Sequence, residues 1–532
     1  MNNIKSIPFS ETHLFSKLIL DYISNDKKVK PFSNYDLSID SIEQIIQDKK
    51  KENIDRKVLV ETINKQYYRN CDASEKTQQN IQSLENYNTF CIVTAHQLNI
   101  FGGSLYYIYK IAQTISTCNH LKTKYPTYNF VPIYWLGSED HDFEEINHIH
   151  LFNKKIEWND KQGGATGEYS TQSILPLIEE IKTILGESEY ANQLIEIYQK
   201  AYTHPTLTEA TRYLVNALFG EYGLVVVDGN DKAFKKQFSE IIKDELLNQN
   251  SFKLVTEQLK QLEANDYKQQ AFPREINLFY LSKNSRERIE YDAQTSQYSI
   301  LNTQYHFSKE EILAELENHP ERFSPNVILR PLFQQKILPS LAYIGGAGEL
   351  SYWLQLKPIF ELYKVNFPQL ILRNSALLIN ENTSKKIDKL GFQIQDFFND
   401  IDTLKKEFIA KNTDENIDVS AYKNEIETTF NKLQELTKNI DATLVNTVGA
   451  ELQKSLQSID SIQKRLMKSL KQKNETELNQ IEKIKTQLFP QNNLQERVDN
   501  FSSYYAKYGQ QFIDDLIANF DVYNKQFLLI EV

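Results

Sequence analysis

A run of residues that could bind a metal or move protons lies in the first third of the chain. The stretch "GSEDHDFEEINHIH", Gly137 to His150, holds three histidines and the carboxylates Glu139, Asp140, Asp142, Glu144 and Glu145. His148 and His150 would point together only on a strand, whereas His141 and Glu145 would converge only on a helix. Because no single secondary structure aligns all three histidines, three interpretations stay open: a metal site, a catalytic or substrate-binding loop, and an ordinary polar surface loop.

A second candidate is "TAHQLNIFGGSLYYIYK", which connects a predicted strand end, through two glycines, to a helix. His96 and Gln97 can donate to phosphate or carboxylate oxygens, and the amides of Gly103 and Ser104 at a helix start favour an anion. The loop is neither a Walker A loop nor a GxGxxG motif. The simpler interpretation makes Ser104 an ordinary helix N-cap and Lys110 a solvated side chain.

A third segment, Ser324 to Phe360, threads polar side chains through an apolar sequence that contains "GGAGE". Buried polar groups are costly unless they are paired, so we expect Arg330 to have a carboxylate or ligand partner. A structural ion pair is the alternative. The other polar residues of this segment are Gln334, Gln335, Lys336, Tyr343, Glu349 and Tyr352.

The elements that must position these residues form an α/β pattern. "TFCIVTA" (Thr89 to Ala95) and "FVPIYWLG" (Phe130 to Gly137) are β-branched, aromatic and not alternating, as is typical of buried parallel strands. Helical spacing between them predicts a strand, helix, strand unit. Further strands are predicted in Tyr222–Asp231, after a helix over Glu209–Phe219, and in Gln369–Ile379. The sequence therefore predicts a parallel-sheet core over 1–383, with insertions near 153–203 and 239–324.

After Glu381 the chain changes character, with almost no Pro or Gly for about a hundred residues. From Tyr422 to Leu470 apolar residues recur about every 3.7 positions, which predicts a helical stripe. We expect an uninterrupted helix from about Ala421 to Gln487, paired with Ser384–Lys411 through the turn "NTDENIDVS". Residues 384–487 are thus predicted as an antiparallel coiled-coil arm, and 488–532 as a helical segment that returns to the core.

Composition and charge exclude several functions. The net charge of -11 disfavours nonspecific binding to nucleic acid or to an anionic membrane. Cys71, Cys91 and Cys118 have no CxxC spacing, so neither a disulfide framework nor a cysteine-based zinc site is predicted. With no signal-like start and no long apolar run, we expect a cytoplasmic protein.

Taken in order, four stretches resemble the family of the bacillithiol-biosynthesis cysteine-adding enzyme, a family of cysteine ligases. They are "TAHQLNIFGGSLYYIYK", "PIYWLGSEDHDFEEINH", "SPNVILRPLFQQKILPSLAYIGGAGELSYWLQL" and "LFPQNNLQERV". The resemblance implies a Rossmann-like core related to class I aminoacyl-tRNA synthetases, with connecting-peptide insertions and a coiled coil that makes a homodimer. Two stretches depart from the usual family form. The family's common "TGQQ" is "TAHQ" here, so His96 stands where many relatives have glutamine, and the common "TGPLY" is "GGSLY" here, with Ser104 in its third position.

The reaction implied by the resemblance joins L-cysteine to the amine of glucosaminyl malate. One route adenylates cysteine with ATP and Mg²⁺; zinc is not expected, because the cysteines lack ligand spacing. For that chemistry we expect Asp140, His141 and Asp142 to bind an amine, one of them acting as general base, while Arg330 and Tyr343 hold a malate carboxylate. The other predicted substrate-binding residues are His96, Gln97, Gly103, Ser104, Tyr106, Glu139, Asn147, His148, Gln334, Gly345, Gly346, Glu349 and Trp353. His150 is predicted to be structural.

The resemblance also suggests a second nucleotide site that would hold ATP or ADP, for which the candidates are Arg373, Ser375, Gln495, Glu496, Arg497 and Lys507. A non-enzymatic dimeric scaffold that binds a nucleotide without turnover is the alternative function. The crowding of polar residues at strand ends favours an enzyme over that scaffold. An aminoacyl-tRNA synthetase proper is disfavoured by the acidic balance and by the absence of a KMSKS-like loop.

Overall fold

The computed structural model describes residues 3–68, 73–412, 418–523 and 525–532. Its chain divides into two units, each formed by two segments. The first unit contains Asn3–Leu377 and Asn493–Leu528. The second contains Leu378–Asn492 and Leu529–Val532.

Fifteen strands are present in the described residues. In chain order they are β1 Asn3–Pro8, β2 Thr89–His96, β3 Asn129–Leu136, β4 His148–Leu151, β5 Lys154–Glu157, β6 Val225–Asp228, β7 Leu278–Ser282, β8 Ser285–Asp292, β9 Gln297–Ile300, β10 His306–Phe307, β11 Phe323–Pro325, β12 Ser340–Gly345, β13 Gln369–Leu372, β14 Ala376–Ile379 and β15 Gln526–Glu531.

Twenty-three α-helices are present in the same residues. They are α1 Lys17–Ile23, α2 Ser41–Lys49, α3 Arg56–Tyr68, α4 Glu75–Ser83, α5 Leu105–Lys124, α6 Phe143–Ile146, α7 Leu175–Leu185, α8 Glu189–Ala201, α9 Leu207–Phe219, α10 Lys232–Asn248, α11 Asn250–Glu263, α12 Lys309–Asn318, α13 Arg330–Ile337, α14 Ala347–Trp353, α15 Lys357–Leu362, α16 Glu381–Lys389, α17 Ile401–Lys411, α18 Ser420–Ile440, α19 Val445–Lys473, α20 Glu475–Leu488, α21 Gln495–Val498, α22 Ser502–Tyr508 and α23 Gln510–Asn519.

A five-stranded parallel sheet in the order β13-β12-β2-β3-β6 forms the core of the first unit. Its strands are buried almost throughout, which is why they are continuous apolar runs and do not alternate. The α/β fold class with a parallel-sheet core is confirmed. Since all five strands are parallel, their carboxyl ends lie at one edge of the sheet, where ligands bind in open α/β folds.

The predicted strands are found with two differences. The run Gln369–Ile379 is divided into β13 and β14, because Arg373, Asn374 and Ser375 leave the strand conformation between them. The strand β12, "SLAYIG", was not predicted, yet it lies inside the sheet and pairs with both β2 and β13.

The two regions predicted as insertions contain separate structures. Residues 153–203 contain β5, α7 and α8, and β5 pairs with β4 in a hairpin. Residues 239–324 contribute most of a second sheet, antiparallel, in the order β10-β9-β8-β7-β11. Along β8, Arg286 is buried whereas Arg288 is exposed.

The long helix of the second unit is broken, so the expectation of an uninterrupted helix over 421–487 is wrong. Helix α18 ends at Ile440, and the side chain of Asp441 accepts a hydrogen bond from the amide of Thr443 at 2.9 Å, which caps the next turn. Lys423 then pairs with Asp460, so α18 and α19 form an antiparallel hairpin. The predicted partner of the helix, Ser384–Lys411, is itself interrupted between Lys389 and Ile401, and both α16 and α17, on either side of this break, pack against α20.

Most of the predicted turn "NTDENIDVS" lies outside the described residues, as does Cys71. Among the residues that the structure describes, no helix is both long and apolar enough to cross a membrane.

Candidate active site

A cleft of about 430 Å³ opens at the carboxyl ends of β2, β3 and β12. It brings together the predicted residues His96, Gln97, Tyr106, Asp140, Arg330, Tyr343, Gly346 and Glu349, together with Arg373 and Arg497 of the predicted second site. The remaining lining residues are Ala95, Trp135, Gly137, Glu145, Val327, Gly348 and Tyr352. Residues from both ends of the first unit's sequence therefore meet in one cavity.

The His96 ring is held by two hydrogen bonds that fix its tautomer. Its Nδ1 lies 3.1 Å from the carbonyl oxygen of Gln97, which can only accept, so Nδ1 carries the proton. Its Nε2 lies 3.0 Å from the hydroxyl of Tyr106 and accepts from it. Burial and the nearby Lys110 charge lower the pKa of His96 to about 4, so the ring is neutral. The Tyr106 oxygen is consequently left as an acceptor at the cleft.

An ion pair between buried Lys110 and partly exposed Glu349 lies at the floor of the cleft. The ammonium of Lys110 is 2.9 and 2.8 Å from the two carboxylate oxygens of Glu349 and also donates to the carbonyl of Ala95. Glu349 accepts from the Tyr343 hydroxyl at 2.7 Å and from the Gly346 amide at 2.8 Å. Burial raises the pKa of Glu349, but Lys110 and these hydrogen bonds outweigh it and the net pKa is lowered.

Two of the predicted roles in this group need correction. Lys110 is buried and paired, so it is not the solvated side chain of the simpler interpretation. The proton of the Tyr343 hydroxyl is used by Glu349, so Tyr343 is not a free donor to a substrate carboxylate.

Arginines surround the start of the acidic stretch. Arg330 lies 3.5 Å from Asp140, so this partly exposed guanidinium has a carboxylate partner, one of the two alternatives expected from the sequence. Arg286, from β8, donates to Nδ1 of His141 at 2.9 Å and its guanidinium lies 3.9 Å from the centre of the Phe279 ring. Burial opposes ionisation of Asp140, but the Arg330 and Arg286 charges prevail and lower its pKa to about 2.

These contacts constrain which residue of the stretch could act as a base. Because Arg286 always carries its protons, Nδ1 of His141 must accept and Nε2 must carry the proton. Burial, followed by the Arg286 charge, lowers the pKa of His141, so the ring is neutral. Asp142 is exposed and does not line the cleft. Of the three predicted catalytic residues, only Asp140 lines the cavity.

The rest of the stretch lies beside the cleft. Glu139 is buried in an ion pair with Lys235. Asn147 and His148 bond to each other at 3.0 Å where the β4-β5 hairpin begins. The ring of His148 packs 5.5 Å from that of His150. Glu145, which was not predicted to bind substrate, lines the cleft and accepts from the Gln97 side chain at 2.7 Å.

The helix start predicted to bind an anion is covered by the chain itself. The amide of Gly103 donates to Ile100 and the amide of Leu105 to Asp499 at 2.8 Å. The hydroxyl of Ser104 donates to the carbonyl of Arg497 at 3.0 Å. Gly103 and Ser104 therefore lie outside the cleft, and the positive φ of Gly103, 59°, serves the turn.

Four of the six predicted second-site residues are buried, namely Arg373, Ser375, Gln495 and Glu496. Arg373 bonds to Glu496 at 2.7 Å and to the Ser375 hydroxyl at 3.2 Å, and its guanidinium lies 5.1 Å from the centre of the Tyr106 ring. Gln495 is buried in α21, and Lys507 is exposed beside Tyr508. Arg373 and Arg497 instead join the cleft described above.

A small side cavity of about 40 Å³ adjoins the cleft and shares Ala95, Trp135, Arg330 and Tyr343 with it. Gln334 and Trp353 line this side cavity and not the main one. The Trp353 indole stacks on the Tyr343 ring at 4.5 Å. Gly345 is buried at the end of β12.

The side chains that could ligate a metal are His, Cys, Asp and Glu. Across the described ranges no three His, Cys, Asp or Glu side chains are grouped to hold a metal ion. Cys91 and Cys118 are buried, and burial raises the pKa of both thiols. The charged groups that line the cleft are three guanidiniums and the carboxylates of Asp140, Glu145 and Glu349.

Arg286 and Lys235 are the functional candidates that the sequence did not indicate. Both are buried, and each contacts the stretch Glu139–His141 from another element. In "SRERIEYD" the structure buries Arg286 and Ile289 and exposes Arg288, so burial along β8 does not alternate strictly and no simple period marked Arg286 as buried. Nothing in the sequence showed which residue Arg286 would contact.

Comparisons with known proteins agree over nearly the whole chain. A family model described as "Bacillithiol biosynthesis BshC, N-terminal Rossmann-like domain" matches residues 2–374, and one described as "Bacillithiol biosynthesis BshC, C-terminal coiled-coil domain" matches residues 376–532. A protein of Flavobacterium psychrophilum named "Putative cysteine ligase BshC" is 45% identical over 96% of both chains. Its namesake from Flavobacterium johnsoniae is 41% identical over 99% of both, and that of Christiangramia forsetii is 42% identical over 98% of both.

Proposed function

The chain belongs to the bacillithiol biosynthesis BshC family, and from that premise we propose that it is an ATP-linked cysteine ligase. The proposed reaction joins the carboxyl group of L-cysteine to the glucosamine amine of glucosaminyl malate. The observation that carries the proposal is the cleft at the sheet's carboxyl edge, where three guanidiniums and three carboxylates line one cavity of about 430 Å³. Such a cavity suits substrates that carry both anionic groups and amines.

The anionic groups of the substrates are assigned to the arginines. Arg330, Arg373 and Arg497 line the cleft from three different elements. A guanidinium matches a carboxylate or a phosphate in a bidentate manner. Arg373 is already held by Glu496, and this fixes its position before a ligand arrives. We assign Arg330 and Arg497 to the malate carboxylates and the phosphates, with Arg373 between them.

The amine is assigned to the carboxylates and the hydroxyl oxygen that line the cleft. Asp140 and Glu145 line the cleft, and the Tyr106 oxygen is an acceptor because its proton is donated to His96. An amine that attacks a carbonyl must first lose a proton and then hold its lone pair toward the carbon. Because the pKa of Asp140 is about 2, this carboxylate positions an ammonium and is a weak base. We therefore assign it to orientation and not to proton abstraction.

The proposed reaction has the two steps of an adenylating ligase, which are activation of the cysteine carboxylate and formation of the amide. A carboxylate oxygen of cysteine attacks the α-phosphorus of ATP, forming cysteinyl adenylate and releasing pyrophosphate. The glucosamine amine then attacks the acyl carbon, loses a proton, and expels AMP with the formation of the amide. Mg²⁺ bound to ATP would shield the phosphate charge. The chain's own contribution is to hold both substrates at the sheet edge and to neutralise charge with its arginines.

We further propose that the protein is a homodimer through the hairpin of α18 and α19. Neither helix contains a buried residue, and both present large apolar side chains to solvent. The most exposed, together with Leu444 in the turn between the helices, are Tyr422, Leu433, Leu436, Ile440, Ile462 and Leu466. An exposed apolar stripe of this length favours association, and a second copy of the same hairpin offers a matching stripe.

The ligase proposal is tested by supplying the purified protein with L-cysteine, ATP, Mg²⁺ and glucosaminyl malate. Mass spectrometry then measures the amide and the nucleotide products. The expected result is an amide that depends on ATP and is accompanied by AMP. Nucleotide binding with no amide would instead support the scaffold function.

A further inference from the structure

We infer that the side cavity at Gln334 is the pocket for the side chain of the amino-acid substrate, and that it selects a two-atom side chain ending in a thiol. The inference rests on the proposed ligase function, since it assigns the place of cysteine within the same site. It concerns a cavity of about 40 Å³ that opens from the cleft through shared walls.

The first observation is an unpaired polar group. The Gln334 side chain is buried, with 3% of its surface exposed, and it lines the side cavity. Its carboxamide makes no hydrogen bond to any residue within the part of the chain that the structure describes. Buried polar side chains almost always have a partner, and an unpaired one is costly. A ligand or a water in the side cavity would supply the missing partner.

The second observation is the character of the other walls. Trp135, Tyr343, Tyr352 and Trp353 present aromatic rings, Val327 and Pro331 add apolar surface, and the charged Arg330 lines the cavity beside them. Sulfur makes favourable contacts with aromatic rings, and a thiol is a weak donor and acceptor that is less costly to bury than a hydroxyl. A thiol can therefore meet the rings and the carboxamide of Gln334 at once.

The third observation is size. A water molecule needs about 10 to 15 Å³ of such space, so about 40 Å³ holds only a few heavy atoms. The Cβ and Sγ atoms of cysteine fit this space, whereas a longer side chain does not. The walls are also firmly held: Trp353 stacks on Tyr343, and Trp135 packs edge-on against Phe333 at 5.6 Å. Size and polarity thus point to the same side chain.

The test compares amino acids in the ligase reaction. L-2-Aminobutyrate has the shape of cysteine with a methyl group in place of the thiol, and L-homocysteine is one methylene longer. We expect the unsubstituted protein to use cysteine at least about tenfold better than L-homocysteine, measured as kcat/KM, because one methylene is worth about 10- to 200-fold in a tight pocket. Cysteine should also be preferred over L-2-aminobutyrate, because a methyl group cannot bond to the Gln334 carboxamide. In Gln334→Leu the preference for cysteine over 2-aminobutyrate should fall severalfold, while KM for the sugar acceptor stays unchanged.

Gln335→Leu is the matched control. Gln335 is the next residue, its side chain is also buried and makes no hydrogen bond within the described residues, but it does not line the cavity. That variant should keep the wild-type preference. An unchanged preference in Gln334→Leu, or equal use of homocysteine and cysteine by the unsubstituted protein, would overturn the pocket and leave the ligase function standing. Absence of any amide from the unsubstituted protein would overturn the ligase function itself, and the pocket with it.

Discussion

The Nζ atom of Lys110 lies 2.9 and 2.8 Å from the two carboxylate oxygens of Glu349, beneath the cleft that holds the candidate active site. The lysine side chain is 1% exposed and the glutamate side chain 29%. The pair joins helix α5 to helix α14, and so it connects the elements that follow β2 and β12. It also keeps Glu349 charged where it accepts the Tyr343 hydroxyl.

We predict that Lys110→Met destabilises the protein by about 3 to 5 kcal/mol, because it leaves the carboxylate of Glu349 without its partner. The double variant Lys110→Met with Glu349→Gln should recover most of that loss, since no uncompensated charge remains. Free energies of unfolding from urea titrations measure both changes. A double variant less stable than Lys110→Met would contradict the pairing.

The folded state of the protein should lose stability in acid through His96. Its pKa is lowered from 6.5 to about 4, so below pH 6.5 the unfolded chain takes up a proton that the native ring does not. The contribution is complete above pH 6.5 and is lost as the pH falls toward 4, by roughly 3 kcal/mol at most. His96→Gln keeps one donor and one acceptor but does not titrate.

The measurement is the difference in unfolding free energy between the unsubstituted protein and His96→Gln at several pH values from 4 to 7. The difference should change steadily in favour of His96→Gln as the pH falls. A difference independent of pH would show that the ring is not held in its neutral form.

Arg286 should control the ionisation of His141. Removing its charge and its donated hydrogen bond in Arg286→Met should raise the pKa of His141, because after burial that charge is the largest influence keeping the ring neutral. Nuclear magnetic resonance titration of the histidine rings, with His141→Gln to assign the signal, gives the value. Arg288→Met is the control, since Arg288 lies exposed on the same strand. Equal shifts in both variants would reject a direct contact.

Association through the hairpin should depend on its exposed apolar residues. Leu436→Lys combined with Ile440→Lys places two charges in the stripe and should convert the dimer to a monomer near 62.2 kDa. Asn439→Lys adds a charge at an exposed polar position of the same helix and should leave the dimer intact. Sedimentation equilibrium measures the masses. A monomeric unsubstituted protein would contradict the dimer.

The core of the fold could be predicted because burial on both faces leaves a continuous apolar run in the sequence. That signal located β2, β3 and β6 and the helix α5 between the first two. The same signal did not reveal β12, because "SLAYIG" is short and lies between two helices, α13 and α14, that contain polar residues. The position of β12 between β13 and β2 depends on pairing with strands that are distant in sequence, and no local pattern indicates that pairing.

The same limit explains the errors in the site and in the hairpin. Asp140 could be placed near the cleft because it follows a buried strand, but the contact of His141 with Arg286 joins residues 145 positions apart. In the second unit the apolar period continues across the turn at Asp441, so it concealed the break. Asp441, an N-cap residue type whose side chain accepts from the Thr443 amide, was the local signal that a new helix begins there.

The most direct test of the proposed activity is the formation of the amide with ¹⁸O in the carboxylate of L-cysteine. With ATP, Mg²⁺ and glucosaminyl malate present, we predict cysteinyl-glucosaminyl malate by mass spectrometry and one ¹⁸O atom in the AMP released. Arg330→Met, which removes a guanidinium of the cleft, should reduce the rate by at least about tenfold. No amide and no consumption of ATP by the unsubstituted protein would contradict the ligase function.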